Sequence, residues 1–189
     1  MGLDISINFD NQENLYLLDE FEKIQEEVNL SRTFCNFMCR REVVEDCRPE
    51  LDQIGELTGA DITFLYNMQE YTEEWEIDEM LEFEDDEDEK KRLKQSMLKK
   101  NTEVENNIEE VKLKLSLLIE KLGQIENLEQ KLDKTNYDTL GIKKYFSNFN
   151  NNPGDGYIDN NLGQDLRNLY SLLNFGLKNG SKTIFFNYG

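Results

Sequence analysis

Thirteen carboxylates fall between Glu70 and Glu89, with no Lys or Arg among them. A density of that kind can hold cations or a basic surface, and a carboxylate row at the 1.5 Å rise of a helix approximates the roughly 1.7 Å charge spacing of a nucleic-acid duplex. Tyr71, Trp75, Ile77, Met80, Leu81 and Phe83 are interleaved with the acids. A merely solvating tail lacks such side chains, whereas aromatics inside a charged segment resemble the anchors of protein interfaces. Acidic runs are more often solvated helix faces, and residues 84–89 also suit the first turn of a following helix, where carboxylates complement the dipole. The candidate partner-binding set is Glu73, Glu74, Glu76, Asp78, Glu82, Glu84, Asp85, Asp86 and Glu87, with Tyr71, Trp75 and Phe83 as anchors.

Three other groupings have chemical potential. Asn151 to Leu162 partly resembles a calcium loop, with Asp155, Gly156 and Asp159 at positions 5, 6 and 9. Position 3 is Pro153 and position 12, which should be a bidentate Glu, is Leu162, so an Asn/Gly-rich turn is the better reading. Cys35, Cys39 and Cys47 would need a fourth ligand such as Glu45 to hold zinc, and free cysteines on an apolar helix face read as core. Arg32, Arg40, Arg41 and Arg48 lie beside Phe34 and Phe37, a composition able to hold phosphate or stack a base. Internal pairing with acids, those of 70–89 included, is the stronger expectation for them.

The whole chain of 189 residues carries 40 acids against 21 bases, a net charge of −19. Removing the thirteen clustered acids leaves 27 against 21, so the imbalance is local. Such a field repels nucleic acid and anionic membranes and attracts basic proteins. Histidine is absent, which removes the commonest general base and zinc ligand. No phosphate loop, nucleophile elbow or metal signature is present. The chain therefore reads as no enzyme, with no cofactor and no metal. The absence of an apolar run near 18 residues and of an export signal, with three unpaired cysteines, gives a cytoplasmic expectation.

The elements that must position these residues are mostly helical. Leu3–Phe9 alternates apolar and polar residues, and Lys182–Tyr188 is rich in β-branched and aromatic residues, so two strands are predicted to pair. Residues 13–28 read as helix, Ser31 caps a second, Pro49 and Gly59 bracket a third, and Asp61 caps a fourth. On that fourth helix Phe64, Met68, Tyr71 and Trp75 step along one face. Val104, Ile108, Val111, Leu115, Leu118, Leu122 and Ile125 step by alternating fours and threes, Leu132 keeps the register, and Leu93 and Met97 extend it upstream. This heptad stripe predicts one long helix over about 86–133, forming a hairpin or coiled coil within the chain or a homodimer seam. Residues 147–161 read as a loop before a last helix over 162–178.

The expected fold is mainly α (α+β): a helical bundle with a long coiled-coil-like helix or helical hairpin, and a small antiparallel sheet. A single domain has its body in 1–83 and 134–189 and a helical arm in 84–133. The opening Met1-Gly2-Leu3-Asp4-Ile5 and the strand around Ile184-Phe185-Phe186 resemble a loose group of small phage and bacterial proteins, which implies a mobile-element context. The functional expectation is an acidic inhibitor of a basic partner, a nuclease or other nucleic-acid-binding protein, of the anti-CRISPR or anti-defence kind. An immunity protein against a bacterial toxin and a coiled-coil oligomerisation adaptor are the alternatives.

Overall fold

The computed structural model describes residues 4–43, 47–133 and 142–189. The two predicted strands pair: β1 (Ile5–Phe9) runs antiparallel to β2 (Ile184–Tyr188), with Ile7 opposite Phe186. Ile5, Ile7 and Phe9 are buried, as their alternation requires. Backbone bonds between Asp4 and Gly189, at 2.9 and 3.1 Å, extend the ladder.

A two-stranded ribbon is marginal alone, and here helices cover it. The last helix, α11 (Leu162–Lys178), begins at Asn161, whose side chain accepts the Gln164 amide at 2.8 Å. Gly176 lies on the side of α11 facing β1, where an added Cβ would come within 2.3 Å of the Phe9 ring. The fold is mainly α with this small two-stranded sheet, the one sheet among the described residues.

Several shorter helices lie between the strands. α1 (Gln12–Leu15) and α2 (Asp19–Glu27) replace the single predicted helix over 13–28, separated by an exposed turn at Tyr16 and Leu17. α3 (Arg32–Met38) starts where Ser31 Oγ accepts the Phe34 amide, and α4 (Arg40–Val43) follows. α5 (Glu50–Thr58) ends at Gly59, whose φ of 60° is left-handed. α6 (Thr63–Asn67) has Ile62 at its N-cap position in place of the predicted Asp61, which sits one residue earlier and accepts the Thr63 amide at 3.0 Å.

From this point β2 changes the expected course of the chain. The helix predicted to carry Phe64, Met68, Tyr71 and Trp75 stops, because Met68 offers its carbonyl to Phe186 N–H (2.9 Å) and Thr72 gives its N–H to Asn101 Oδ1 (2.9 Å). Those two groups would otherwise bond each other across one helical turn. α7 (Glu74–Glu82) then starts afresh on a capping box formed by Glu73 and Glu76.

The long helix predicted over 86–133 is likewise divided, into α8 (Glu87–Val104) and α9 (Ile108–Gly123). Asn106 sits at a left-handed φ of 59°, and Ile108 N–H bonds Lys182 O at 3.1 Å. The Asn107 amide brackets Ile184, donating to its carbonyl at 2.8 Å and accepting its N–H at 2.9 Å. The edge of β2 away from β1 is thereby occupied by a side chain on one residue and by Met68 O on another.

The heptad stripe is the core. Val104, Ile108, Val111, Leu115, Leu118 and Leu122 are all buried, and α9 packs along α11 in the most extensive helix–helix contact of the molecule. Its apolar positions from 104 onward are thus engaged inside the chain instead of facing a second copy. Beyond Gly123 a 3-10 turn (Leu128–Gln130) and α10 (Ile142–Tyr145) complete the described elements.

Candidate partner-binding surface

The two helix breaks cut residues 74–104 out as a separate hairpin, α7 and α8, joined by residues 83–86. Contacts between the flanks run in opposite directions along the sequence: Asp78 faces Lys94 at 4.0 Å, Thr72 bonds Asn101, and Glu70 pairs with Lys100. The hairpin is therefore antiparallel. Asn101, buried, is bonded twice to Thr72, donating to its carbonyl at 2.7 Å as well as accepting its N–H. Ile77 is buried; Leu81, Leu93 and Met97 are half-buried.

Nine of the thirteen clustered acids have partners inside the chain. Glu70 and Asp78 pair with lysines of α8, and Glu73 and Glu76 form the capping box of α7, Glu73 also accepting Asn187 Nδ2 at 3.3 Å. Glu84 accepts the Asp86 amide at 3.0 Å. Asp86 caps α8 by accepting the amides of Asp88 and Glu89, at 2.8 and 3.2 Å. Glu87, Asp88 and Glu89 pair with Lys90, Lys91 and Arg92 one turn on. Residues 84–89 thus perform the helix-starting role open to them in the sequence.

Four acids have no such partner among the described residues: Glu74, Glu79, Glu82 and Asp85, all exposed. Of these, Glu79 was not among the residues singled out by sequence, although it lies one turn after Trp75 on the same helix. Trp75, Glu79 and Glu82 follow at i, i+4 and i+7, a single stripe on the side of α7 opposite buried Ile77. Trp75 is 59% exposed, Met80 53% and Phe83, at the tip of the hairpin, 83%. Tyr71 is placed differently from Trp75 and Phe83. It is half-buried with its ring stacked on Phe185, centroids 4.1 Å apart, and burial raises its hydroxyl pKa.

The remaining sequence candidates are engaged elsewhere. Asp155 Oδ1 accepts the amides of Tyr157 (3.0 Å) and Ile158 (2.7 Å), which hold its carboxyl below the usual range, and Asp159 pairs with Lys144. Leu162 is buried at the start of α11, so the 151–162 segment is an Asx turn leading into a helix. Among the described residues no group of three or more His, Cys, Asp or Glu is placed to hold a metal; Glu45 lies outside them. Cys35 is buried one turn before half-buried Cys39, and the neighbouring Cys35 thiol lowers that of Cys39 to about 7.

The arginines pair internally, but with acids other than those of 70–89. Arg32 meets Asp4 at 3.1 Å, buried Arg40 meets buried Glu50 at 3.4 Å, and Arg48 meets Glu56. Arg41 lies over the Tyr66 ring, 4.4 Å from its centroid. A cleft of about 520 Å³ between 123–129 and 146–151 is walled by Asn127, Asn148 and Asn150 with Glu126 and Glu129, and no Lys, Arg or Cys lines it. No helix among the described residues is long and apolar enough to cross a membrane.

Compared with models of known protein families, with curated proteins and with solved structures, the chain finds no match in any of the three.

Proposed function

We propose that this chain is an acidic protein-binding inhibitor that occludes a basic, nucleic-acid-handling protein, of the anti-CRISPR or anti-defence kind. The observation that carries the reading is the α7–α8 hairpin: on α7 and the turn after it, carboxylates without partners among the described residues lie beside exposed Trp75 and Phe83. Negative charge of that density steers encounter with a cationic groove, and the aromatics supply apolar anchors once it is reached. An immunity protein acting on a bacterial toxin would use the same surface and differ only in the partner's identity. The adaptor alternative needs an exposed coiled-coil seam, and the heptad residues from Val104 to Leu122 are buried.

The test is capture from host lysate with immobilised wild-type chain, in parallel with the variant Glu74→Gln/Glu79→Gln/Glu82→Gln/Asp85→Asn. The expected outcome is a basic protein retained by wild type and depleted by the variant, with binding that weakens as salt rises. Its nuclease or nucleic-acid-binding activity should fall when the chain is added. Retention that is equal at low and high salt, or a captured protein whose nucleic-acid activity is unaffected, overturns the reading.

A further inference from the structure

The hairpin's acids divide into those with intramolecular partners and those without, and the second set sits around the apolar side chains. We propose that the outward stripe of α7, Trp75 with Glu79 and Glu82, continued by Phe83 and flanked by Glu74 and Asp85, docks lengthwise against one helix of the partner. That helix presents an apolar stripe bordered by Lys or Arg. The proposal rests on the inhibitor reading above and specifies its contact.

Three observations favour a helix over a bare cationic surface. First, Trp75 and Phe83 are more than half exposed although Ile77 on the opposite side of α7 is buried, so an apolar surface is available on the solvent side. Leaving large apolar side chains in water is unfavourable unless another surface covers them. Second, the exposed apolar and acidic positions alternate at helical spacing, which matches a partner helix whose apolar stripe is bordered by bases. Third, the carboxylates at 84 and 86–89 are bonded to their own backbone or to neighbouring bases. A mimic of a phosphate row would need those charges free, so charge complementarity is concentrated on α7.

Trp75 is the only tryptophan in the chain and reports its own surroundings. The probes are two synthetic peptides of equal charge and length, one a Lys/Leu helix with leucines at i, i+3 and i+4, the other Lys/Gly. At physiological salt the Lys/Leu peptide should shift Trp75 emission to the blue and the Lys/Gly peptide should not. The four-residue variant of Glu74, Glu79, Glu82 and Asp85 should weaken Lys/Leu binding by about tenfold, as four exposed charge contacts would. Asp78→Asn/Glu87→Gln/Asp88→Asn/Glu89→Gln removes the same charge from acids that have partners, and should change binding by less than about twofold. Circular dichroism checks that both variants keep their helices.

Equal losses from the two variants would overturn the proposal in favour of net charge alone, as would equal binding of the two peptides or no shift with either. Those results leave the inhibitor reading intact, because lysate capture measures it independently of any peptide.

Discussion

Thr72 and Asn101 hold each other through two hydrogen bonds, Thr72 N–H to Asn101 Oδ1 at 2.9 Å and Asn101 Nδ2 to Thr72 O at 2.7 Å. One side-chain amide thereby satisfies both backbone groups of a residue that has left a helix, at the root of the α7–α8 hairpin. The stack of Tyr71 on Phe185 lies beside it in sequence and fixes the same root to β2.

Replacing Asn101 with Leu keeps the branching at Cγ and removes both bonds. It leaves the Thr72 N–H and carbonyl half-buried without their partner, so the expected loss is about 1–3 kcal/mol. Urea unfolding measures that loss. Hydrogen exchange should show a second effect, lower protection of α7 and α8 with that of α11 unchanged.

Asp165 is fully buried and accepts four donors: Ser31 N–H at 3.0 Å, Ser31 Oγ–H at 2.7 Å, Tyr145 Oη–H at 2.9 Å and Asn160 Nδ2 at 2.8 Å. It ties the cap of α3, helix α10 and the 152–160 loop to α11. Asp165→Asn turns an acceptor into a donor facing other donors, and about 3 kcal/mol of stability should be lost. Thermal melts and urea curves of the variant against wild type check the value.

Lys114, 2.8 Å away, and Thr63 hold the Asp61 carboxyl down at about 2, against an ordinary value of 3.8. The folded state therefore binds this proton less readily than the unfolded state. The stabilisation is complete above pH 4 and disappears as pH falls through 2. Because the pair is largely exposed, solvent screening limits it to about 1 kcal/mol. Subtracting the acid unfolding curve of Asp61→Asn from that of wild type should show a step of this sign between pH 4 and 2.

Cys39, at the C-cap of α3, is the reactive thiol of the Cys35/Cys39 pair. The neighbouring Cys35 thiol, as a donor, lowers its pKa to about 7, while Cys35 is buried and raised well above the ordinary thiol range. Since the thiolate is the nucleophile, iodoacetamide should label Cys39 with a rate that rises through pH 7 and levels off near pH 8. Mass spectrometry of the labelled protein should find Cys35 unmodified. Cys35→Ala should move the Cys39 midpoint upward, since it removes the donor.

Where local chemistry governs, the sequence is a good guide to the fold. The strand alternation at 5–9, the Ser31 cap, the Gly59 stop and the last helix at 162–178 all follow from propensities acting within a few residues. The register of Val104 to Leu122 identified the core correctly. What periodicity lacks is competition for backbone groups from far along the chain. Met68 O and Thr72 N–H leave their helix for Phe186 and Asn101, and Ile108 N–H leaves its own for Lys182. Both exchanges involve residues whose local pattern is helical, so the single helices expected across 64–75 and 86–133 are each two. The candidate surface was legible as a segment but not as a set of free charges. Only Glu70 and Asp78 owe their pairing to lysines that α8 brings alongside; the other seven bond backbone amides or bases one turn on, and which acids do so depends on where α7 and α8 start.

The pairing of β1 with β2 sets an order of events during synthesis. Residues 184–188 leave the ribosome about 175 residues after residues 5–9, roughly ten to thirty seconds at usual elongation rates. Through that interval Ile5, Ile7 and Phe9 have no partner strand. Met68, Ile108 and Asn107 also lack the backbone groups that interrupt their helices. The bonds that interrupt the helices near residues 68 and 106 are therefore made only once residues 182–186 have emerged, so the sheet and the breaks that set off the hairpin depend on one and the same segment.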